Sequence, residues 1–198
     1  MINSIIFDFG DVFINLDKEK SRAAFEKLGL AVMNQDLLMQ NDLYEKGKIS
    51  EDDFLKSIQK QIPKVSILEI KSAWNAIIGD FPLERLEFLQ LLSEKYKLFL
   101  LTNTDKTHIQ FFEDKVGISF YSAFYQCFEK VYYSFEMGMR KPDCAIYSKI
   151  ISNHNLNPKS TLFVDDKFDN IESAKSLGLQ VWHLQVGFED VTQLLKKI

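Results

Sequence analysis

Three apolar stretches of the chain run directly into side chains that can do chemistry. Residues 5–7 run into Asp8, residues 98–101 into Thr102 and Asn103, and residues 161–164 into Asp165 and Asp166. Short, continuous apolar runs of this kind are typical of parallel strands that are covered on both faces. Because open α/β sheets place their chemistry at the carboxyl ends of the strands, we expect these side chains to meet at one site.

The predicted site would hold three carboxylates, from Asp8, Asp165 and Asp166. Alone they would repel one another and raise one another's pKa values, and a hard cation such as Mg²⁺ would relieve this. Lys141, in the loop over residues 138–143, can add an ammonium group, and residues 102 and 103 can add small hydrogen-bond donors. Together these groups can hold a phosphoryl group during transfer, with one carboxylate as a nucleophile that forms an aspartyl-phosphate.

Strands and helices alternate along most of the chain, which predicts the fold class. Beyond the first strand, apolar runs at residues 97–102, 131–134, 161–164 and 180–184 alternate with helical patterns. Such alternation predicts an α/β fold, a Rossmann-like parallel sheet flanked by helices and joined by right-handed crossovers.

Residues 15–79 interrupt this alternation with four predicted helices and no strand. Three of them are expected at residues 18–28, 36–46 and 66–78, and Ser50 is a good N-cap for another. We interpret the segment as a small helical cap over the end of the first strand, because it is far longer than a usual crossover. The predicted core domain is then residues 1–14 plus 80–198. The alternative is a plain four-helix crossover with no role in substrate choice.

Composition excludes several classes of protein. The 198 residues carry a net charge of −4 without a block of Lys or Arg, so neither a nucleic acid nor a membrane surface is suggested as a partner. No apolar run is long enough to cross a bilayer. The two cysteines, Cys127 and Cys144, are expected to be reduced thiols of a cytoplasmic protein. The sequence leaves open whether the protein is a monomer or a dimer.

Four motifs in order resemble those of the haloacid dehalogenase superfamily of aspartate-nucleophile hydrolases. They are the segment 7–12 (Phe-Asp-Phe-Gly-Asp-Val), Leu-Thr-Asn at 101–103, Arg-Lys-Pro at 140–142, and Asp165-Asp166 followed by Asn170. The resemblance covers essentially the whole chain, and the helical insertion is similar to the family's first type of cap. The chain looks most like the bacterial α-D-glucose-1-phosphate phosphatase group, which shares the Gly-Met-Arg-Lys-Pro loop and a Glu45-x-Gly47-x-Ile49-Ser50 pattern.

The resemblance implies a role for each matching residue. Asp8 would be the nucleophile and a metal ligand, with Asp166 binding Mg²⁺ directly and Asp165 directly or through water. The Gly10 backbone carbonyl would complete the metal site. Thr102 and Asn103 would hold phosphoryl oxygens, Lys141 would neutralise nucleophile and phosphate, and Asn170 would orient Lys141 or the metal shell. The implied substrate is a small phosphorylated metabolite.

Gly10 departs from the family pattern, which usually has a second Asp at this position to protonate the leaving group. Such help is typically worth ~10²–10⁴ in rate. Asp11 is a candidate replacement, with water or the substrate itself as alternatives, and it is equally well explained as a loop acid that caps a turn. A sugar 1-phosphate, whose leaving group departs easily, would need the missing acid less.

Three other functions stay open at this point. A metal-independent 2-haloacid dehalogenase would also lack the second Asp, but the paired acids at 165 and 166 argue against it. A non-catalytic phosphate-binding or regulatory relative would keep Lys141 and the metal ligands. A phosphotransferase such as a mutase usually relies on the Asp that Gly10 replaces.

Overall fold

A five-stranded parallel sheet lies at the centre of the computed structural model, which describes all 198 residues. The strands are β1 (Ser4–Phe7), β2 (Lys97–Thr102), β3 (Lys130–Tyr133), β4 (Thr161–Asp165) and β5 (Gln180–His183). Their order is β3-β2-β1-β4-β5, and each neighbouring pair is parallel. β1 therefore lies between β2 and β4, so that Asp8 has Thr102 on one side and Asp165 on the other. The predicted α/β class is confirmed.

Ten α-helices connect or precede the strands. They are α1 (Lys18–Lys27), α2 (Gln35–Glu45), α3 (Glu51–Gln59), α4 (Ile67–Asn75), α5 (Leu83–Ser93), α6 (Lys106–Val116), α7 (Ile118–Tyr125), α8 (Ser134–Met137), α9 (Cys144–Asn153) and α10 (Phe168–Ser176). Two short 3₁₀ helices span Pro158–Ser160 and Val191–Lys196. None of the helices is long and apolar enough to cross a membrane.

The central strands are buried on both faces because their side chains alternate between two hydrophobic cores. In β1, Ile5 and Phe7 belong to one core and Ile6 to the other. Helices α5, α6 and α7 complete the first core, and α9 and α10 complete the second. This two-sided burial is the physical reason for the continuous apolar runs in the sequence.

Helices α1–α4 form a helical segment with a hydrophobic cluster of its own, built around Phe54, Ile58 and Ile70. Two short linkers join the segment to the sheet and run side by side. Asp17 N–H donates to the Ile77 carbonyl at 2.8 Å, and Gly79 N–H donates to the Asn15 carbonyl at 2.9 Å. The separate cluster and the paired linkers are compatible with the predicted division at residues 15–79, which stays a prediction.

Several element boundaries differ from those expected. The helix expected at 66–78 is α4 and ends at Asn75. Ser134, expected to end β3, begins the short helix α8, which the sequence did not indicate.

Candidate active site

The ends of β1, β2 and β4 meet at one cavity, as their positions in the sheet require. The Asp8, Asp165 and Asp166 carboxylates each offer an oxygen, and these oxygens lie within 4.8 Å of one another. Thr102, Asn103 and Lys141 line the same cavity, whose volume is about 230 Å³. The expectation that the strand ends converge is therefore confirmed, although the role of each residue stays a prediction.

Lys141 is the buried cation of the site. Its Nζ lies 2.7 Å from Asp8 Oδ1 and 2.7 Å from Asp165 Oδ2, and its side chain is only 1 % exposed. Burial alone would lower the pKa of Lys141, but the two carboxylates raise it above its usual value. Lys141 therefore keeps its charge inside the protein and binds two carboxylates at once.

The charged form of Asp8, unlike that of Lys141, is disfavoured by its surroundings. Burial raises its pKa to about 6, Lys141 opposes this shift, and the Asp165 charge adds to it. The ionised form that a nucleophile needs is therefore costly in the protein alone. A further cation beside Asp8 would stabilise that form.

Asp165 is held from several directions and has little capacity left for another ligand. Asn170 Nδ2 lies 3.0 Å from each of its carboxylate oxygens, and Lys167 N–H donates to Oδ1 at 2.8 Å. Together with the Lys141 contact, these bonds fix the carboxylate on both oxygens. Asn170 thus positions Asp165, and through it Lys141.

Asp166 differs from its neighbour because no side chain or backbone donor bonds its carboxylate and no cation pairs with it. Burial raises its pKa, and the Asp165 charge raises it further. Lys141 contacts Asp8 and Asp165 but not Asp166. Lys167 and Lys18 act on Asp166 only through longer-range charge. An oxygen-rich, negatively charged donor set of this kind fits Mg²⁺, with Asp8 and Asp166 as the carboxylates best placed to hold it.

The Asn103 amide holds the loop that carries Lys141. Asn103 Nδ2 donates to the Lys141 carbonyl at 2.8 Å, and Lys141 N–H donates to Asn103 Oδ1 at 2.9 Å. This reciprocal pair ties the end of β2 to the loop after β3. The side chain therefore acts first as a support for Lys141, and a contact of Asn103 or Thr102 with a phosphoryl group stays a prediction.

The geometry around Asp11 favours the turn-capping interpretation of this residue. Its Oδ1 accepts from Leu16 N–H at 2.9 Å, its Oδ2 lies 2.8 Å from Lys18 Nζ, and its backbone has a φ of 58°. Both oxygens are thus engaged in the turn that leads into α1. A catalytic role for Asp11 stays a prediction that this arrangement does not favour.

Leu16 occupies the space beside Gly10 in which a side chain would otherwise stand. A Cβ built on Gly10 would lie 2.8 Å from Leu16 Cδ1. Gly10 and Leu16 both line the cavity, which is therefore apolar where an acid–base group would be expected.

The helical segment contributes residues to the cavity that sequence reasoning missed. These are Lys18, Asn41, Glu45 and Trp74. Asn41 and Glu45 are one helical turn apart in α2, and that i, i+4 spacing was a usable signal once α2 was predicted. Trp74 stacks on His108 with ring centroids 4.9 Å apart and also lines the cavity.

The fold and the strand-end cluster define a class of protein, and comparison with known proteins identifies it. A family model described as haloacid dehalogenase-like hydrolase matches residues 2–178. The chain belongs to this family of hydrolases.

Individual relatives agree with this assignment. The chain is 31% identical over 193 residues to a D-ribitol-5-phosphate phosphatase from Bacteroides thetaiotaomicron, with 94% of each chain covered. It is 26% identical over 183 residues to a sesquiterpene phosphatase from Aspergillus oryzae, covering 90% of this chain and 88% of that protein. A magnesium complex of a haloacid dehalogenase-family enzyme from Bacteroides thetaiotaomicron superposes with a TM-score of 0.89 at 32% identity, covering 98% of both chains. Another structure of that enzyme contains magnesium and inorganic phosphate and superposes with a TM-score of 0.83, at 32% identity and 98% and 99% coverage.

Proposed function

We propose that the protein is a Mg²⁺-dependent phosphatase that hydrolyses a small phosphate monoester, in particular a sugar or polyol phosphate. The observation that carries this proposal is the buried Lys141 ammonium between Asp8 and Asp165, beside an Asp166 carboxylate without a protein partner. The family membership and the relatives that act on phosphate esters support it.

Asp8 is the proposed nucleophile. Its carboxylate attacks phosphorus, an Asp8 O–P bond forms, and the ester P–O bond breaks with the electron pair on the leaving oxygen. Gly10 offers no acid, so the leaving alkoxide takes its proton from water. A second water then attacks phosphorus, which releases inorganic phosphate and restores the Asp8 carboxylate.

The other residues of the site hold charge and geometry during these steps. Bound Mg²⁺ supplies positive charge to the phosphoryl oxygens and to the nucleophile, held by Asp8, Asp166 and the Gly10 carbonyl. Lys141 neutralises Asp8 and the phosphoryl group. Thr102 and the backbone N–H groups after β2 bind phosphoryl oxygens, and Asp165 and Asn170 hold Lys141.

The helical segment is the proposed cap, residues 15–79, over a core domain of residues 1–14 plus 80–198. Its side chains line the cavity opposite the carboxylates, where the leaving group of the ester would lie. The substrate is a small metabolite, not a nucleic acid or a lipid surface, which is compatible with the net charge of −4. We place the protein in the cytoplasm, in accord with its two free cysteines.

The test is phosphate release from a panel of monoesters with and without Mg²⁺. The panel contains p-nitrophenyl phosphate, glucose 1- and 6-phosphates, D-ribitol 5-phosphate and a nucleoside monophosphate. Turnover that requires Mg²⁺ is the expected result. Release of halide from a 2-haloacid without Mg²⁺ would instead establish the dehalogenase alternative, and binding of phosphate without turnover would establish the non-catalytic one.

A further inference from the structure

The α2 residues Asn41 and Glu45 line the same cavity as Asp8 and Asp166. They are four residues apart in the helix, so their side chains share one face of it. Of the other residues that the helical segment sends to the cavity, Lys18 is paired with Asp11 and the Trp74 indole N–H donates to Asp105 at 3.1 Å. Asn41 and Glu45 are thus the polar side chains that this segment places at the cavity with hydrogen-bonding capacity left for a ligand.

Asn41 has an oxygen that no protein group satisfies. Its Oδ1 is buried and accepts no hydrogen bond, while its Nδ2 makes only a long contact of 3.4 Å with Glu45 Oε1. Buried side-chain oxygens are normally bonded, so an orphaned one beside a cavity marks a position at which a ligand can supply the donor. A hydroxyl group can donate to Asn41 Oδ1 and accept from its amide.

Glu45 is held in place by the loop that also carries the buried lysine. Its Oε2 lies 2.9 Å from Arg140 Nη2, and Arg140 Nη1 lies 3.2 Å from Asp42 Oδ1. Because Arg140 directly precedes Lys141, the Glu45 carboxylate has a defined position relative to the phosphate end of the cavity. A charged acceptor fixed in this way forms strong hydrogen bonds with hydroxyl donors.

Other residues of the cavity offer apolar surface to the carbon skeleton of a ligand. Leu16, Ile77 and Ile78 line the cavity and offer only apolar surface to a ligand. A polyhydroxylated chain presents hydroxyl groups on some sides and C–H groups on others, and this cavity has both kinds of surface. A leaving group with a carboxylate would instead meet the Glu45 charge.

We propose that Asn41 and Glu45 form a hydroxyl-binding subsite that selects phosphate esters whose leaving group is a neutral polyol or sugar. The inference rests on the proposed phosphatase function and assigns the residues that decide its substrate class. Glu45 accepts from one hydroxyl group, and Asn41 both accepts from and donates to another. Neither residue takes part in bond breaking.

The first experiment uses the unaltered protein with Mg²⁺ and two matched esters, D-ribitol 5-phosphate and n-pentyl phosphate. Both are phosphate esters of a primary alcohol on a five-carbon chain, and they differ in the hydroxyl groups. Hydrogen bonds to a charged acceptor are expected to raise kcat/KM for the pentitol ester by about tenfold or more. Equal values of kcat/KM for the two esters overturn the subsite.

Variants then show which residues produce the preference for the pentitol ester. Asn41→Ala and Glu45→Gln should each lower the ratio of the two kcat/KM values by about fivefold or more. Asp36→Asn, an acid-to-amide change at an exposed position of the same helix that lies outside the cavity, should keep the wild-type ratio. Variants that lose activity equally on both esters contradict the subsite, while the phosphatase function stands. If the wild type hydrolyses neither ester but releases phosphate from p-nitrophenyl phosphate, the subsite is overturned while the phosphatase function stands. A variant that does not fold leaves the wild-type comparison as the deciding measurement.

Discussion

Asp165 connects Asn170 to the buried lysine of the site. Substituting Asn170→Ala removes both hydrogen bonds from Nδ2 to the Asp165 carboxylate, so that Lys141 loses a fixed partner. Loss of such an outer support typically costs about 10–100-fold in activity or metal affinity, and we expect a fall of that size in kcat. Steady-state phosphate release at saturating Mg²⁺ measures it. Asp169→Ala, at the exposed neighbouring position of α10, is the control, and an Asn170→Ala variant with wild-type kcat would contradict this role.

The contact between Gly10 and Leu16 leads to a second prediction at the scale of single residues. Gly10→Asp restores the acid that relatives usually carry, but its Cβ would stand 2.8 Å from Leu16 Cδ1. We expect the single variant to gain less activity than one in which residue 16 is also shortened, because the Leu16 side chain must first move aside. In Gly10→Asp/Leu16→Ala the acid has room, and kcat on an alkyl phosphate should rise at least several-fold, up to the ~10²–10⁴ typical of acid–base help. Leu16→Ala alone is the control, and a double variant no faster than this control would show that space is not the limitation.

The sequence could predict which residues form the cluster but not how they bond one another. Asp8, Asp165 and Asp166 follow apolar runs, so their meeting at one sheet edge was predictable. The pair of hydrogen bonds between the Asn103 side chain and the Lys141 backbone, and the contact of Leu16 with Gly10, depend on how separate loops approach. Such an approach leaves no periodic signal in the sequence. The Asn41–Glu45 pair could be predicted only in part. The sequence shows that the two residues share one face of α2, but it does not show that this face is turned toward the cavity.

The close approach of Gly47, which follows α2, to the backbone of α8 leads to a prediction about stability. Gly47 has a φ of +62°, and a Cβ there would stand 2.2 Å from the Phe135 carbonyl oxygen. Gly138 has a φ of +69° in the same left-handed region, and a Cβ there would meet only the flexible end of Lys48, whose Nζ would lie 3.3 Å away, so it is a matched control. In both Ala variants the left-handed backbone conformation costs about 1–2 kcal/mol of stability. Gly47→Ala should lower the free energy of unfolding by about 1–3 kcal/mol more, because the backbone of α8 must move. Urea unfolding measures the difference, and equal losses would contradict this close approach.

His108 links α4 to the start of α6 and makes the protein sensitive to pH. Its Nδ1 lies 3.0 Å from Asp105 Oδ2 and its Nε2 lies 3.1 Å from the Trp74 carbonyl oxygen. Both partners are acceptors, so the imidazolium form satisfies both. Burial alone would lower the pKa of His108, but Asp105, the Trp74 carbonyl and the more distant Glu45 raise it above 6.5.

A raised pKa in the folded state gives stability that is fully present below about pH 6.5 and is lost as the pH rises through the folded-state value. His108→Gln removes the titration. The free energy of unfolding of the wild type should therefore exceed that of the variant by more at pH 6 than at pH 9. Urea unfolding of both proteins at the two pH values tests this, with His154→Gln, the substitution of a histidine outside this contact, as the control. A difference independent of pH would contradict the ionised contact.

Helices and strands with a clear pattern of apolar residues could be predicted from the sequence, and those without such a pattern could not. The alternation of two cores explains why β1, β2 and β4 were recognised as continuous apolar runs. The helix α8 has four residues, which is too short for helical periodicity to show. The helix expected at 66–78 ends early at Asn75 because the following residues form the linker that pairs with residues 15–17.

At the scale of the whole molecule, function depends on the order of the strands. The sequence predicted strands and crossovers but contains no local signal for the order β3-β2-β1-β4-β5. That order puts β1 between β2 and β4, so that Asp8 lies beside Asp165 and one lysine, Lys141, contacts both carboxylates. The helical segment also lines the cavity, so the proposed specificity residues and the charged cluster lie on different parts of the chain.

The most direct test of the account is the Asp8→Asn variant in Mg²⁺-dependent phosphate release from p-nitrophenyl phosphate. Asp169→Asn, the same change at an exposed position beside the site, is the matched control, and circular dichroism verifies that both variants fold. Asp8→Asn should lose at least about a thousandfold in kcat because no nucleophile remains, while Asp169→Asn keeps the wild-type rate. An Asp8→Asn protein that is folded and retains a tenth or more of the wild-type kcat would contradict the aspartyl-phosphate mechanism.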